Sequence, residues 1–391
     1  MDEFDASLKE AKVETLYIGF SGGLDSRVLL HKLCQDPILR AKLIAVHINH
    51  HLSPNADIWA KQARAICEQE HVPFQLFSVK VDSKNIEASA RKERYRIFES
   101  LLINQHQILL LAHHKNDQAE TLLLHLLRGA GIDGLSAMPM WRALGGGCLY
   151  RPFLHTLRLT LEHYAQQHHL TWIEDESNQT MHFNRNFLRH EIIPLLQERW
   201  PGVVSNLART VAHCADARKT LRELAEARFA VIAERYHEHY RLKLSLLSQE
   251  SRAMQKNILR LWFEKKAIKN PSQAKLLAIL DTLIPAAQDA NPIVILEDIQ
   301  VRRYQGWLYC IESIVGVNNI CPNSIDIRFR QGGETLRHHG QTQSLKKLFQ
   351  AWKVPPWERD KIPLIYINNQ LVGVLGYTLN ASDDISVYQY K

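Results

Sequence analysis

The sequence predicts an α/β protein: a doubly wound parallel sheet followed by a helical linker and two small α+β domains. Three observations predict it. Strand-like and helix-like segments alternate from Thr15 to about Leu127, the pattern of a parallel sheet with helices on both faces. From Arg158 to Gln288 the apolar spacing is mostly helical,. After Pro292 short β-prone runs return, with one short helix among them,. A chain of 391 residues makes two or three domains at roughly 150 residues each. The expected boundaries are 1–215, 216–318 and 319–391.

The first four strands are expected at Thr15–Phe20, Leu43–Ile48, Phe74–Val79 and Ile108–Ala112, each a short apolar run,. Helices fit between them at Val28–Cys34, Ile58–Glu70 and Ile86–Gln105, and a fourth runs from about Asp117 to Leu127. Long amphipathic helices follow at Val203–Tyr236 and Ser251–Lys266,. Later strands are expected at Ile293–Glu297, Gln300–Tyr304, Trp307–Ser313, Ile325–Phe329, Leu364–Ile367 and Leu371–Gly376, with a helix near Ser344–Trp352. In a doubly wound sheet, ligands bind beyond the C-terminal strand ends, and the motifs of the first domain fall there.

Composition narrows the classes. Hydrophobic residues make up 46% of the chain, enough for packed cores and against disorder. No apolar run approaches the roughly 18–20 residues that span a bilayer, and the acidic start Met1–Ala6 carries no apolar signal core,. A cytoplasmic protein with no membrane partner is expected. Six cysteines without a Cys-x-x-Cys pair argue for scattered buried thiols rather than disulfides or zinc. A formal charge of +7 suits a polyanionic partner.

The most informative stretch is Ser21-Gly22-Gly23-Leu24-Asp25-Ser26. A strand that turns through glycines into a helix lets backbone approach an anion, and the helix start favours negative charge. The same stretch also reads as an ordinary turn. No Gly-x-x-x-x-Gly-Lys-Ser/Thr element occurs,. A second constellation, His113-His114-Lys115-Asn116-Asp117-Gln118-Ala119-Glu120-Thr121, sits where the fourth strand meets a helix. Asp117 and Glu120 share one face of the first turn. They read as helix-start acids or as a carboxylate pair able to hold Mg²⁺ or an ammonium group. Arg91, Arg94 and Tyr95 share a helix face, either a solvated basic face or an anion contact. In the tail, Arg330, Arg337, Lys346, Lys347, Lys353 and Arg359 surround Trp352 and Trp357. That mixture reads either as RNA binding or as an amphipathic helix over core tryptophans.

The pattern Ser-Gly-Gly-x-Asp-Ser resembles the signature of the N-type ATP pyrophosphatases, the PP-loop family, which adenylate a substrate and release pyrophosphate and AMP. Further motifs narrow the resemblance. Ala45-Val-His-Ile-Asn-His50, Glu87-Ala-Ser-Ala-Arg-x-x-Arg-Tyr95, the His113–Thr121 run, Leu127-Arg-Gly-Ala-Gly-Ile-x-Gly-Leu135, Arg151-Pro-Phe-Leu154, Asp175-Glu-Ser-Asn178, Arg185-Asn186 and Arg189 occur in order. Arg330-Gln-Gly-Gly-Glu334, Lys346-Lys347 and Pro355-Pro-Trp-Glu-Arg359 follow in the tail. Together they are similar to the tRNA(Ile)-lysidine synthetase family.

The resemblance implies an activity. ATP adenylates C2 of the cytidine at the first anticodon position of tRNA(Ile) with a CAU anticodon, and the amine of free L-lysine then displaces AMP. The product pairs with A rather than G, which changes the tRNA from methionine to isoleucine identity. It also implies roles. Ser21, Gly22, Gly23, Leu24, Asp25 and Ser26 bind the ATP phosphates, with Asp25 near Mg²⁺. Val46, His47 and Asn49 border the adenine. Asp117 and Glu120 hold the amino groups of lysine, His113 lies beside the reacting centre, and Arg185 takes the lysine carboxylate. Arg91, Arg94 and Arg128 contact triphosphate or tRNA backbone, and the tail with Lys346 and Lys347 binds the acceptor stem. A carboxylate or His113 is the candidate acceptor of the amine's proton.

One position departs from the family pattern, which has two acidic residues where this chain has Asn116-Asp117. Asn116→Asp is expected to be tolerated. A homodimer is compatible with the family, without a diagnostic interface in the sequence. Three alternatives stay open: a tRNA thiolase, which normally needs paired cysteines; a small-molecule PP-loop ligase, which needs no basic tail; and an inactive tRNA-binding protein.

Overall fold

In this computed structural model the described residues are 8, 13–80, 86–174, 176, 183–237, 239–268, 271–287, 292–296, 299–312, 325–338, 341–367 and 369–379. They form two compact units, Met1–Leu221 and Arg222–Lys391, divided within the helix Val203–Ile232. The expected boundary at 318/319, the start Met1–Ala6 and the motif residues Asp175, Ser177 and Asn178 lie outside the described residues.

The first unit runs β1 (Thr15–Gly19), α1 (Leu24–Cys34), β2 (Leu43–Asn49), α2 (Ala56–Gln69), β3 (Phe74–Ser78), α3 (Ile86–Leu101), β4 (Gln107–Leu110) and α4 (Lys115–Leu127). A hairpin of β5 (Trp141–Leu144) and β6 (Gly147–Tyr150) follows, then α5 (Arg158–Gln167). The sheet order is β3-β2-β1-β4-β6-β5. Every neighbouring pair is parallel except β5 with β6, which adds an antiparallel edge beyond the four expected strands.

Alternation along β1 explains the two-sided winding, because successive side chains leave opposite faces of a strand. Leu16 and Ile18 join the core made with Val28, Leu29 and Leu33 of α1, Ala63 of α2 and Leu161 of α5. Tyr17 joins the other core, with Phe98 of α3, Leu109 and Leu149. The chain runs outward from β1 through β2 to β3, then returns to place β4 on the other side of β1. That reversal opens a crevice above β1 and β4, where doubly wound folds place ligands.

The second unit holds an antiparallel sheet ordered β7-β8-β11-β10-β9: Ala233–Tyr236, His239–Lys243, Trp307–Glu312, Ile299–Tyr304 and Ile293–Leu296. Its core includes Ile258, Leu259, Trp262 and Phe263 from the helix Arg252–Lys265, which Ser251 caps by accepting the Met254 N–H,. The expected helix Val203–Tyr236 stops at Ile232, because residues 233–236 pair with β8 instead. A second core packs the helix Leu345–Ala351 against a sheet whose strands lie in the order Ile325–Arg328, Leu364–Ile367, Gln370–Val374 and Thr378–Leu379, and a ribbon of Thr335–His338 with Gln341–Ser344. Among the described residues no helix is long and apolar enough to cross a membrane. Among the described residues five cysteines form no disulfide; Cys34, Cys67 and Cys310 are buried, whereas Cys148 and Cys214 are only half-buried.

Candidate functional site

The crevice is floored by the turn between β1 and α1. Gly22 has φ +84°, a conformation open to glycine and strained for other residues. A Cβ there would also collide with Ile173 Cδ1. The Gly22 carbonyl accepts from Ile173 N–H at 2.9 Å. Ser21 Oγ and Ser26 Oγ lie 3.1 Å apart, and Ser26 Oγ donates to Gly23 O at 3.0 Å. Gly23 is the N-cap of α1 without a side-chain cap, so helix-start N–H groups stay available to an anion. Leu24 packs its side chain onto the core and has only backbone to offer a ligand. Asp25 Oδ1 is buried with no hydrogen-bond partner, a position that suits a cation.

A cavity of about 540 Å³ opens beside this turn, lined by Ser21, Gly23, Val46, His47, Asn49, Trp59, Arg94, Ile173 and Phe183 among others. The β2 residues reach it in different ways. His47 is buried and donates from Nδ1 to Phe20 O at 2.9 Å. Burial holds its pKa below the ordinary value despite that bond. The Asn49 side chain donates to Asp57 Oδ1 at 2.7 Å and accepts from His51 N–H at 2.8 Å, so its amide braces the cavity wall. His50 is pushed down to about 4 by burial and by Arg94, which keeps it neutral.

Across the crevice, α4 begins with His114 as its cap. His114 Nδ1 accepts from Asp117 N–H at 3.3 Å, and Asp117 Oδ2 accepts from His114 N–H at 2.9 Å. This capping box fixes the first turn and turns Asp117 and Glu120 to one side. Both are buried, and both are held by arginines. Arg185 donates from Nη2 to Asp117 Oδ1 at 2.8 Å and from Nε to Glu120 Oε2 at 2.6 Å. Arg189 donates from Nη2 to Asp117 Oδ1 at 3.1 Å, from Nε to Glu120 Oε1 at 2.7 Å and from Nη2 to Glu120 Oε2 at 3.0 Å. Burial opposes the Asp117 charge, but His114, Arg185, His113 and Arg189 outweigh it and hold the carboxyl well below its usual range. His114 Nε2 lies 3.6 Å from Asp25 Oδ2. Burial disfavours its charge; Asp117 and Asp25 prevail and raise its pKa. His114 therefore links the carboxylate cluster to the turn after β1.

Three sequence profiles match this chain: a PP-loop domain over residues 1–196, a TilS substrate binding domain over 242–309 and a TilS substrate C-terminal domain over 325–386. A tRNA(Ile)-lysidine synthase of Legionella pneumophila (strain Paris) is 41% identical, covering 97% of this chain and 94% of that protein. The chain belongs to the tRNA(Ile)-lysidine synthase family. A member from Coxiella burnetii is 39% identical over 93% of this chain and 88% of its own length. One from Haemophilus influenzae (strain 86-028NP) is 36% identical over 96% and 98%.

Not every residue suggested by the family motifs reaches the crevice in the same way. His113 is half-buried, and its Nδ1 accepts from Arg151 Nε at 3.2 Å. Arg94 lines the cavity with a buried Nε that has no hydrogen-bond partner. Burial lowers its pKa and, with Tyr95 opposing, Arg91 and Arg185 push the same way. Arg91 is exposed over the Tyr95 ring at 5.0 Å, and Arg142 lies over the same ring at 5.0 Å. Arg128 is exposed at the end of α4, before Gly129 at φ +68°.

In the second unit Lys346 and Lys347 are exposed on the helix Leu345–Ala351. Arg359 and Trp357 correct the expectation of a basic, aromatic surface. Both are buried, with Arg359 donating from Nε to Val354 O at 3.0 Å. Asn116, next to Asp117, does not join the carboxylates. Its Oδ1 accepts from Arg158 N–H at 3.1 Å and caps α5. His114, Arg151 and Arg189 have no role that sequence pattern alone assigns, although Arg185 and Arg189 at i, i+4 are a legible pair.

Proposed function

We propose that this protein joins free L-lysine to C2 of the cytidine at the first anticodon position of tRNA(Ile) with a CAU anticodon. ATP is cleaved to AMP and pyrophosphate through an adenylated cytidine, and the cytoplasm is the setting. The observation that carries this reading is the four-membered cluster of Asp117, Glu120, Arg185 and Arg189 linked through His114 to Asp25.

The cluster suits a diamino acid by charge matching. Two carboxylates and two guanidiniums balance one another. Lysine brings two ammonium groups and one carboxylate. An ammonium that takes over a carboxylate frees an arginine fork for the lysine carboxylate, and once the attacking amine has lost its proton three cationic groups face three carboxylates. Arg185 is the fork in this reading.

The turn at Ser21–Ser26 and the cavity take ATP, with Val46, His47 and Asn49 at its base. Mg²⁺ fits at Asp25, whose Oδ1 has no protein partner. Among the described residues no group of three His, Cys, Asp or Glu residues is placed to hold a metal ion, so phosphate oxygens and water would complete the shell. The ion supplies charge neutralisation at the phosphates. Arg91, Arg94 and Arg128 take triphosphate or tRNA backbone, and Lys346 and Lys347 take tRNA in a domain spanning 319–391 after domains at 1–215 and 216–318. A homodimer belongs to the same reading.

The test is incorporation of labelled lysine into tRNA with ATP and Mg²⁺. Stable label that requires the anticodon cytidine is the expected result. Bound tRNA without label would favour an inactive binder, and label from a sulfur donor would favour a thiolase.

A further inference from the structure

His113 has a neighbour that decides its chemistry. A guanidinium Nε–H is always a donor, since arginine does not deprotonate in proteins. Arg151 aims that donor at His113 Nδ1 at 3.2 Å. Nδ1 must therefore accept, and the neutral ring carries its proton on Nε2. Arg151 is itself fixed: it is 2% exposed, and its Nη1 donates to Pro139 O at 2.6 Å. The β6 end that bears Arg151 pairs with β4, which leads into His113. The donor and the ring are thus held by neighbouring strands. No hydrogen bond from His113 Nε2 occurs among the described residues, so that N–H is left for a ligand.

We infer that Arg151 is a positioning residue that locks His113 as the neutral Nε2–H tautomer, making His113 a hydrogen-bond donor to a substrate oxygen and not a proton acceptor. The role deepens the proposed function and rests on it for the identity of the substrate. A ring nitrogen that already carries its proton cannot take one from the lysine ammonium, and the other nitrogen faces a cation. Protonation would place two donors nose to nose. The charged groups acting on the ring agree. Burial disfavours the imidazolium, Asp117 favours it, and Arg151, Arg185 and Arg94 oppose it, leaving His113 lowered to about 3. Its state is then constant across the working range of pH.

Two measurements test this. Nitrogen-15 spectra of histidine-labelled protein, with His113 assigned by its loss in His113→Gln, report which ring nitrogen bears the proton. The expected result is Nε2–H from pH 5 to 8; an Nδ1–H ring or an imidazolium in that range overturns the inference. Because no substrate is added, this readout stands even if lysine incorporation fails, which would sink the proposed function alone. The second measurement is turnover. A glutamine amide can donate where Nε2–H does but is no base. His113→Gln is expected to stay within about tenfold of wild type, with His113→Ala down by more than 100-fold. A general base contributes typically 10²–10⁴-fold, so a His113→Gln variant as slow as His113→Ala refutes the donor role. In Arg151→Met the ring is expected to titrate nearer the ordinary histidine value. Unchanged spectra in that variant would remove Arg151 from the account. The wild-type spectrum and His113→Gln leave Arg151 intact, so neither depends on Arg151→Met folding.

Discussion

Glu120→Ala should destabilise the first unit more than any other single truncation in the cluster. Glu120 is 1% exposed and accepts three charged hydrogen bonds, at 2.6, 2.7 and 3.0 Å. Its removal leaves Arg185 and Arg189 sharing one oxygen, Asp117 Oδ1, at 2.8 and 3.1 Å. Removing one partner of a buried ion pair costs about 3–5 kcal/mol. The two arginine side chains are 25% and 24% exposed, so water recovers part of that cost, and about 2–3 kcal/mol is the expectation after screening. For a unit of this size each kcal/mol lowers Tm by about 2–4 °C, which gives a fall of about 4–12 °C in calorimetry. The double variant Glu120→Ala/Arg189→Ala should cost less than the sum of its parts, because the second change removes a cation the first one orphaned. A loss below about 1 kcal/mol in Glu120→Ala, or strict additivity in the cycle, would refute the view that these four groups act as one buried unit.

Four further outcomes follow from the same geometry. The Asp117 carboxyl is held below its ordinary value of 3.8 by His114, Arg185, His113 and Arg189 against the opposing effect of burial. Its contribution is therefore complete above that value and lost as pH falls below it; urea midpoints measured from pH 6 to 3 should drop more steeply in wild type than in Asp117→Asn. Gly22→Ala combines a left-handed backbone with the Ile173 collision, so a cost of about 1–3 kcal/mol and loss of ATP-pyrophosphate exchange are expected; a variant with normal exchange would contradict the role of the turn. Asn116→Asp should retain lysine incorporation, since an aspartate accepts the Arg158 N–H equally well and suits the start of α5,. Lys346→Glu/Lys347→Glu should weaken tRNA binding uniformly across sequences and flatten its salt dependence by about 1 per lysine; filter binding at several salt concentrations reads both.

Local pattern carried much of the first unit. The run Thr15–Phe20 into Ser21-Gly22-Gly23 announces β1, its turn and α1, because strand, glycine and helix signals all fall within one short stretch,. The β5–β6 hairpin was not legible. It turns through Gly145, Gly146 and Gly147, which lie so close to carbonyls of Glu99, Leu102, Ile103 and Gln107 that no Cβ fits, and that crowding comes from a distant segment. Asp117 and Glu120 were legible as one helix face, but their partners are not local. Arg185 and Arg189 stand 65 to 72 positions away, and only the fold brings them together. The two adjacent histidines were indistinguishable in sequence. The structure separates them by direction, with His114 turned into the helix cap and His113 toward Arg151. Arg359 shows the limit of residue type, since a guanidinium that satisfies a buried carbonyl looks the same in sequence as one that meets a phosphate,.

That separation also sets an order of events during synthesis. Chains emerge at about 5–20 residues per second. Asp117 and Glu120 thus leave the ribosome roughly 3–14 s before Arg185 and Arg189 follow, on that rate and a spacing of 65 to 72 residues,. Ile173, which seats Gly22, also arrives late. Until then β1 to β4 can pair and bury their apolar faces, while the acidic start of α4 lacks both of its arginines. The nascent domain therefore acquires its sheet before its chemistry, and a chain released early would be folded in outline yet carry Asp117 and Glu120 at its crevice without their arginines.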